Sequence, residues 1–224
     1  MYPKSIDPIE MSEIADDFHV LDTVKWTTVD DGGTGTNALN AVSYGEVSII
    51  TAAAANDYHF MKSAAQSFLP AAKKPIWFVA RITAGTSAGM QYYGLTSDVS
   101  ATLSTDGTGV VVNTGSMGLF YCLPASLALG FMTSNATVQT KQATVLTLVA
   151  GQKYQIGFHW DSGDGTTGIV TAWVYDETAG VRYVATPQLV AHASLAQMGV
   201  LYGVKSAGAA ETIKLDYIRA CQKR

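Results

Sequence analysis

The stretch from Lys153 to Thr186 leaves a chain like this few ways to fold. Tyr154, Ile156, Phe158 and Trp160 alternate with Gln155, Gly157 and His159. Successive side chains of a strand point to opposite sides, so this two-residue period marks a strand with one face buried. The run Asp161-Ser162-Gly163-Asp164-Gly165-Thr166-Thr167-Gly168 follows and is made of turn residues. Ile169 to Tyr175 is then rich in β-branched and aromatic side chains. A second turn at Asp176 to Gly180 leads to a third strand, Val181 to Ala185. Three strands joined by short polar loops form an antiparallel meander, a building unit of sandwiches and barrels. If the larger side chains point inward, Phe158 and Trp160 anchor the core. Trp173 is in step with Ile169, Thr171 and Tyr175, and counting from the turn puts it near the same end of the hairpin as Trp160.

The rest of the chain agrees with an all-β reading. Ile76 to Thr83 is apolar on both faces, as expected of a central strand covered on each side. Further strands are expected at Tyr44–Thr51, Tyr58–Met61, Gly89–Leu95, Val110–Val112, Leu119–Cys122, Thr144–Leu148, Gln197–Val204 and Glu211–Ile218, with a hairpin turn at Asp106-Gly107. In the last of these, Lys214 and Asp216 share one face and Ile213, Leu215 and Tyr217 the other. Helix is expected in two places. Asp7-Pro8-Ile9-Glu10 has a cap, a proline at the first helical position and a glutamate three residues after the cap, predicting a short helix to about Ala15. Pro187 to Ala196 is the other. A chain of 224 residues, 48% hydrophobic, can fill one large core. Residues 1–15 are therefore expected to form an arm, and 16–224 an antiparallel β-sandwich of more than a dozen strands.

Several functions are disfavoured by composition. The net charge of -4, with no basic cluster, argues against nucleic acid as a partner. No apolar run approaches the roughly 18–20 residues that would carry a helix across a bilayer, so no membrane partner is expected. The N-terminal residues lack a basic segment followed by an apolar one, so the chain is expected to be made in the cytoplasm and not secreted. Charged residues are only 14% of the chain, against the usual quarter or so. Such a surface suits burial against other subunits as well as it suits a plain neutral β-protein. Gly32, Gly33 and Gly35 are not spaced as a phosphate-binding loop. Cys122 and Cys221 form no metal-binding pattern and are expected to be reduced, Cys122 as a buried structural thiol.

Four features together resemble the concanavalin A-like, or LamG-type, jelly roll. Asp16-Asp17-Phe18 opens the domain, and Trp77 to Arg81 reads Trp-Phe-Val-Ala-Arg. In the meander, Trp173 precedes an Asp-containing turn, and the last strand ends Leu215-Asp216-Tyr217-Ile218. The resemblance spans about Asp16 to Ile218. Versions of this domain rich in Ala, Gly and Thr, with few charges and an N-terminal arm, are similar to virion proteins of tailed bacteriophages. That similarity implies a non-enzymatic structural role, foremost capsid decoration. The partners would be other virion proteins, the major capsid protein first, with the protein as a homo-oligomer in the virion. The alternative it implies is a carbohydrate-binding or receptor-binding, lectin-like module of a tail or fibre, with a glycan as partner.

The chemistry of the residues points away from catalysis. Glycosidases of this resemblance carry Glu-x-Asp-x-x-Glu, because their two carboxylates must face each other about 5–5.5 Å apart in a retaining enzyme. Glu10, Glu13, Glu46, Glu177 and Glu211 make no such spacing. His19, His59, His159 and His192 offer no zinc motif, and His159 is expected as a hydrogen-bonded surface residue. Asp161 and Asp164 offer oxygens of the kind calcium takes, but without the full run of spaced ligands the expectation is turn-forming aspartates. No catalytic residue, cofactor or firm metal site is assigned. Tyr92, Tyr93 and Tyr183 are candidates to stack on sugar rings, with packing as their commoner use.

Overall fold

The computed structural model describes residues 11–31, 35–40, 42, 45–86, 89–97, 115–163 and 165–224. Among them are sixteen strands and no helix. The first eight are β1 (Met11–Asp16), β2 (Trp26–Asp30), β3 (Thr36–Leu39), β4 (Val47–Ile50), β5 (Tyr58–Ser63), β6 (Ile76–Thr83), β7 (Gly89–Thr96) and β8 (Ser116–Cys122). The others are β9 (Ala128–Asn135), β10 (Gln139–Thr147), β11 (Lys153–Asp161), β12 (Thr167–Asp176), β13 (Val181–Val184), β14 (Gln188–Ala191), β15 (Gly199–Ser206) and β16 (Thr212–Lys223). They form two antiparallel sheets. The first runs β13-β12-β11-β6-β16-β4-β3, with β1 added beside β16 and β14 beside β12. The second runs β10-β9-β8-β7-β15-β5-β2.

The core lies between the sheets, and the alternation in β11 sets it. Tyr154, Ile156, Phe158 and Trp160 are all buried, as the period requires. Phe158 stacks on Phe78 of the neighbouring strand at 5.2 Å and meets Phe131 of the opposite sheet at 5.6 Å. Gln188 of β14 also joins the sheets. It accepts from the Thr133 hydroxyl at 2.8 Å and donates to the Phe131 carbonyl at 3.2 Å, so a buried amide is satisfied across the interface. A second apolar cluster covers the other face of the second sheet, built from Phe60, Met90, Tyr92, Met117, Leu119, Tyr121, Met132 and Leu201. Every residue of β7, β8 and β15 is therefore buried.

Several expectations are corrected. The helix predicted to about Ala15 is not formed in its described part, because Met11–Asp16 pairs along β16 from Lys223 to Ile218. An unpaired strand edge outcompetes a local capping signal, since propensity is a weak bias that tertiary pairing overrides. Pro187 to Ala196 likewise gives strand β14, paired with β12, and not helix. Ala128–Asn135 is a strand the sequence hid, since nearly all its residues are buried and no alternation shows. A register shift between Leu215 and Tyr217 turns Tyr217 to the side of Arg81. Trp173 pairs with Gly157 while Trp160 pairs with Val170, so the two tryptophans do not share one end of the hairpin. The predicted helix start at Asp7, the turn at Asp106-Gly107, the strand Val110–Val112, Tyr44 and Asp164 lie outside the described residues.

Candidate functional site

The period that buries Phe158 turns its odd-numbered neighbours outward, and on the first sheet these make a groove. His159 of β11 pairs with Trp77 of β6 on one side and Thr171 of β12 on the other. One row away, Gly157 lies between Val79 and Trp173. The Trp77 and His159 rings stack at 5.0 Å with an interplanar angle of 15°. Gly157 has no side chain to stand between strands, so the Trp173 indole lies across it. A Cβ there would fall 2.6 Å from Trp173 Cζ2 and 2.7 Å from the Phe78 carbonyl. Glycine inside a strand often marks such a close approach. The Arg182 guanidinium, on β13, sits 4.8 Å from the Trp173 ring centroid, a cation over an indole face. These groups enclose about 400 Å³, which falls in the range of small-molecule sites.

No carboxylate lines the groove among the described residues. The His159 pKa is lowered by burial, partly opposed by Asp161, so its imidazole is neutral at neutral pH. Its Nε2 is buried with no hydrogen-bond partner, which corrects the expectation of a hydrogen-bonded surface histidine. Beside the groove, Arg81 grips Glu177 with two parallel bonds, Nε to Oε1 at 2.8 Å and Nη2 to Oε2 at 2.6 Å, and also bonds Asp216. Lys153 reaches Asp216 at 3.1 Å and Gln155 reaches Glu177 at 3.1 Å. The bond from Arg81 holds the Glu177 pKa below the ordinary range. Glu177 belongs to the turn between β12 and β13, so this network fixes the turn that presents Arg182.

The other candidate residues take structural places. Glu211 is fully buried and accepts the N–H groups of Thr86, Gly89 and Thr212 at 2.8–3.0 Å, which anchors the connection between β6 and β7. Asp161 Oδ1 accepts the Gly163 N–H at 3.0 Å, a turn contact. Among the described residues no group of three or more His, Cys, Asp or Glu could hold a metal ion. Cys122 and Cys221 are free and buried, and burial pushes the Cys122 thiol up to about 12 and that of Cys221 to about 11. Tyr92 and Tyr93 are both fully buried, which removes them as sugar-stacking candidates, and Tyr183 is half-buried on β13. Sequence reasoning missed the groove because it placed Trp77 on a face expected to be covered. The usable signal was Gly157 inside a strand, in step with His159.

No protein-family model matches the chain, and no curated protein does. Solved structures match over nearly its whole length. Lectin I from Ulex europaeus, in complex with the methyl glycoside of α-L-fucose, superposes with a TM-score of 0.64 at 7% identity, covering 96% of this chain and 98% of that one. The chain has the concanavalin A-like fold. An endo-1,3-β-glucanase from Streptomyces sioyaensis shares this sandwich with a TM-score of 0.58 at 12% identity, over 99% of both chains. A protein of unknown function from Shewanella oneidensis MR-1 matches at 0.64 and 12%, over 100% and 97%. At such identities the concanavalin A-like sandwich is what is shared. Its relatives in shape include both a sugar-binding lectin and a glucanase, and the comparisons give no sign of a bacteriophage origin.

Proposed function

We propose that the protein is a carbohydrate-binding module whose ligand lies in the groove of Trp77, His159, Trp173 and Arg182. The observation that carries this reading is the placement of Trp173 across Gly157, beside the stacked Trp77 and His159 rings. Half-exposed indoles offer flat apolar faces of the kind that pack on the C–H faces of sugar rings, while polar tips stay free. Thr171 and Arg182 supply those tips around the same space. Lectins of the same fold support the reading. The groove is proposed to bind without turnover, because hydrolysis by two facing carboxylates has no counterpart among the described residues of its lining. Capsid decoration, the first expectation from the resemblance, draws no support from the similar structures, and the lectin-like alternative takes its place.

A glycan array with the intact chain, followed by affinity electrophoresis on the best polymers, tests this. Trp173→Ala and Trp77→Ala should each weaken binding by about tenfold or more, the scale of losing one stacked ring. Their melting temperatures should stay within a few degrees of the parent. An array without signal, or binding that neither substitution weakens, contradicts the proposal.

A further inference from the structure

We infer that the groove selects acidic glycans, with the carboxylate of a uronic acid held by Arg182. The inference rests on the groove being a glycan site and adds which sugars it takes. Three arginines lie on this outer face, and two have carboxylate partners. Arg81 holds Glu177 and Asp216, and Arg219, paired in register with Val79, meets Glu13 Oε1 at 2.5 Å. Arg182 forms no ion pair among the described residues, and its contact there is with the Trp173 ring at 4.8 Å. A guanidinium lying over an indole is held in place by its flat face, while its N–H groups point from its edge. That edge is the fork that receives both oxygens of a carboxylate.

The surroundings favour an anion there. Among the described residues of the groove's lining, Arg182 is the charged group and no Asp or Glu joins it. A uronate ring can pack against the indoles that line the groove while its carboxylate meets Arg182. A neutral sugar makes the same stacking contacts and leaves the guanidinium without an acceptor.

Affinity electrophoresis and calorimetry on the intact chain, with polyglucuronate, dextran sulfate and a neutral β-glucan as probes, decide it. Polyglucuronate is expected to bind about tenfold or more tighter than the neutral polymer, the difference of one charge-assisted pair. Arg182→Ala should abolish that preference, bringing polyglucuronate affinity down to that of the neutral polymer measured with the same variant. Arg182→Lys, which keeps the charge and loses the fork, should restore only part of it. Arg182 is exposed on a strand edge, and a melting curve for each variant confirms the fold. Equal affinity for polyglucuronate and the neutral glucan, or a preference that survives Arg182→Ala, overturns the inference and leaves the glycan site standing. Dextran sulfate bound in place of polyglucuronate overturns the carboxylate assignment. Binding to none of these and to no glycan of the array removes the underlying reading as well.

Discussion

The outer faces of the two sheets obey the same alternation and end differently. On the second sheet the outward residues are Met90, Tyr92, Met117, Leu119, Tyr121 and Met132, and all are buried in a second core. On the first they are Trp77, His159, Thr171 and Trp173, half-buried around an open groove. Methionine and leucine are pliable fillers that take the shape of whatever covers them. Two indoles, a glycine and a guanidinium without an ion pair among the described residues make a shaped surface. Alternation tells which residues leave the core. The chemistry of those residues tells whether they leave for packing or for a ligand.

That contrast can be broken by substitution. The largest effect is expected in the shared core, where Phe158→Ala should cost about 3–5 kcal/mol in denaturant unfolding. Leu119→Ala, on the outer face of the second sheet, should cost about 2–4 kcal/mol, because it opens a cavity in a closed cluster. Trp77→Ala on the first sheet should cost clearly less and lower glycan affinity instead. A smaller cost for Leu119→Ala than for Trp77→Ala would erase the distinction between the faces.

Acid should separate the sheets more gently. Asp57, immediately before β5 of the second sheet, has its pKa raised from 3.8 to about 6, first by burial and then by its hydrogen bond with Asp31 and the nearby Asp30 charge. A raised carboxyl favours the protonated fold, so its stabilisation is full below pH 3.8 and is lost as pH rises through about 6. His159 on the first sheet works in reverse. Its pKa is lowered, so its stabilisation is present above 6.5 and is lost as pH falls through the folded value. Asp57→Asn should therefore flatten the loss of stability between pH 4 and 7, a change in melting temperature of about 2–4 °C. His159→Gln should leave that slope in place and remove a loss at lower pH. Asp161→Ala should change least, within about 0.5 kcal/mol, because at the exposed end of β11 it removes little more than a turn contact to the Gly163 N–H.

Much of the fold was legible because its signals are local. The meander from β11 to β13, the strand Ile76–Thr83 and the inward places of Phe158 and Trp160 follow from a period of two within one segment. What was not legible depends on distant partners. Met11–Asp16 becomes a strand through the edge of β16, and Tyr92 and Tyr93 are both buried because β7 has a core on each side. The groove needs Trp77, His159 and Trp173 in neighbouring rows, and the register across three strands sets that. Gly157 and the parity of Trp173 were readable in the chain, but the indole lying across the glycine was not.

The four tryptophans allow the most direct test of the glycan site. Trp26 and Trp160 are buried, at 2% and 0% exposure, while Trp77 and Trp173 are half-buried at the groove. Acrylamide should therefore quench two populations, one accessible and one shielded. Saturation with the tightest-binding glycan of the array should shield the accessible population and leave the buried one unchanged, and Trp173→Ala should abolish most of that protection. Glycan that binds tightly yet leaves the accessible tryptophans as open to quencher as before would place the binding site elsewhere on the molecule.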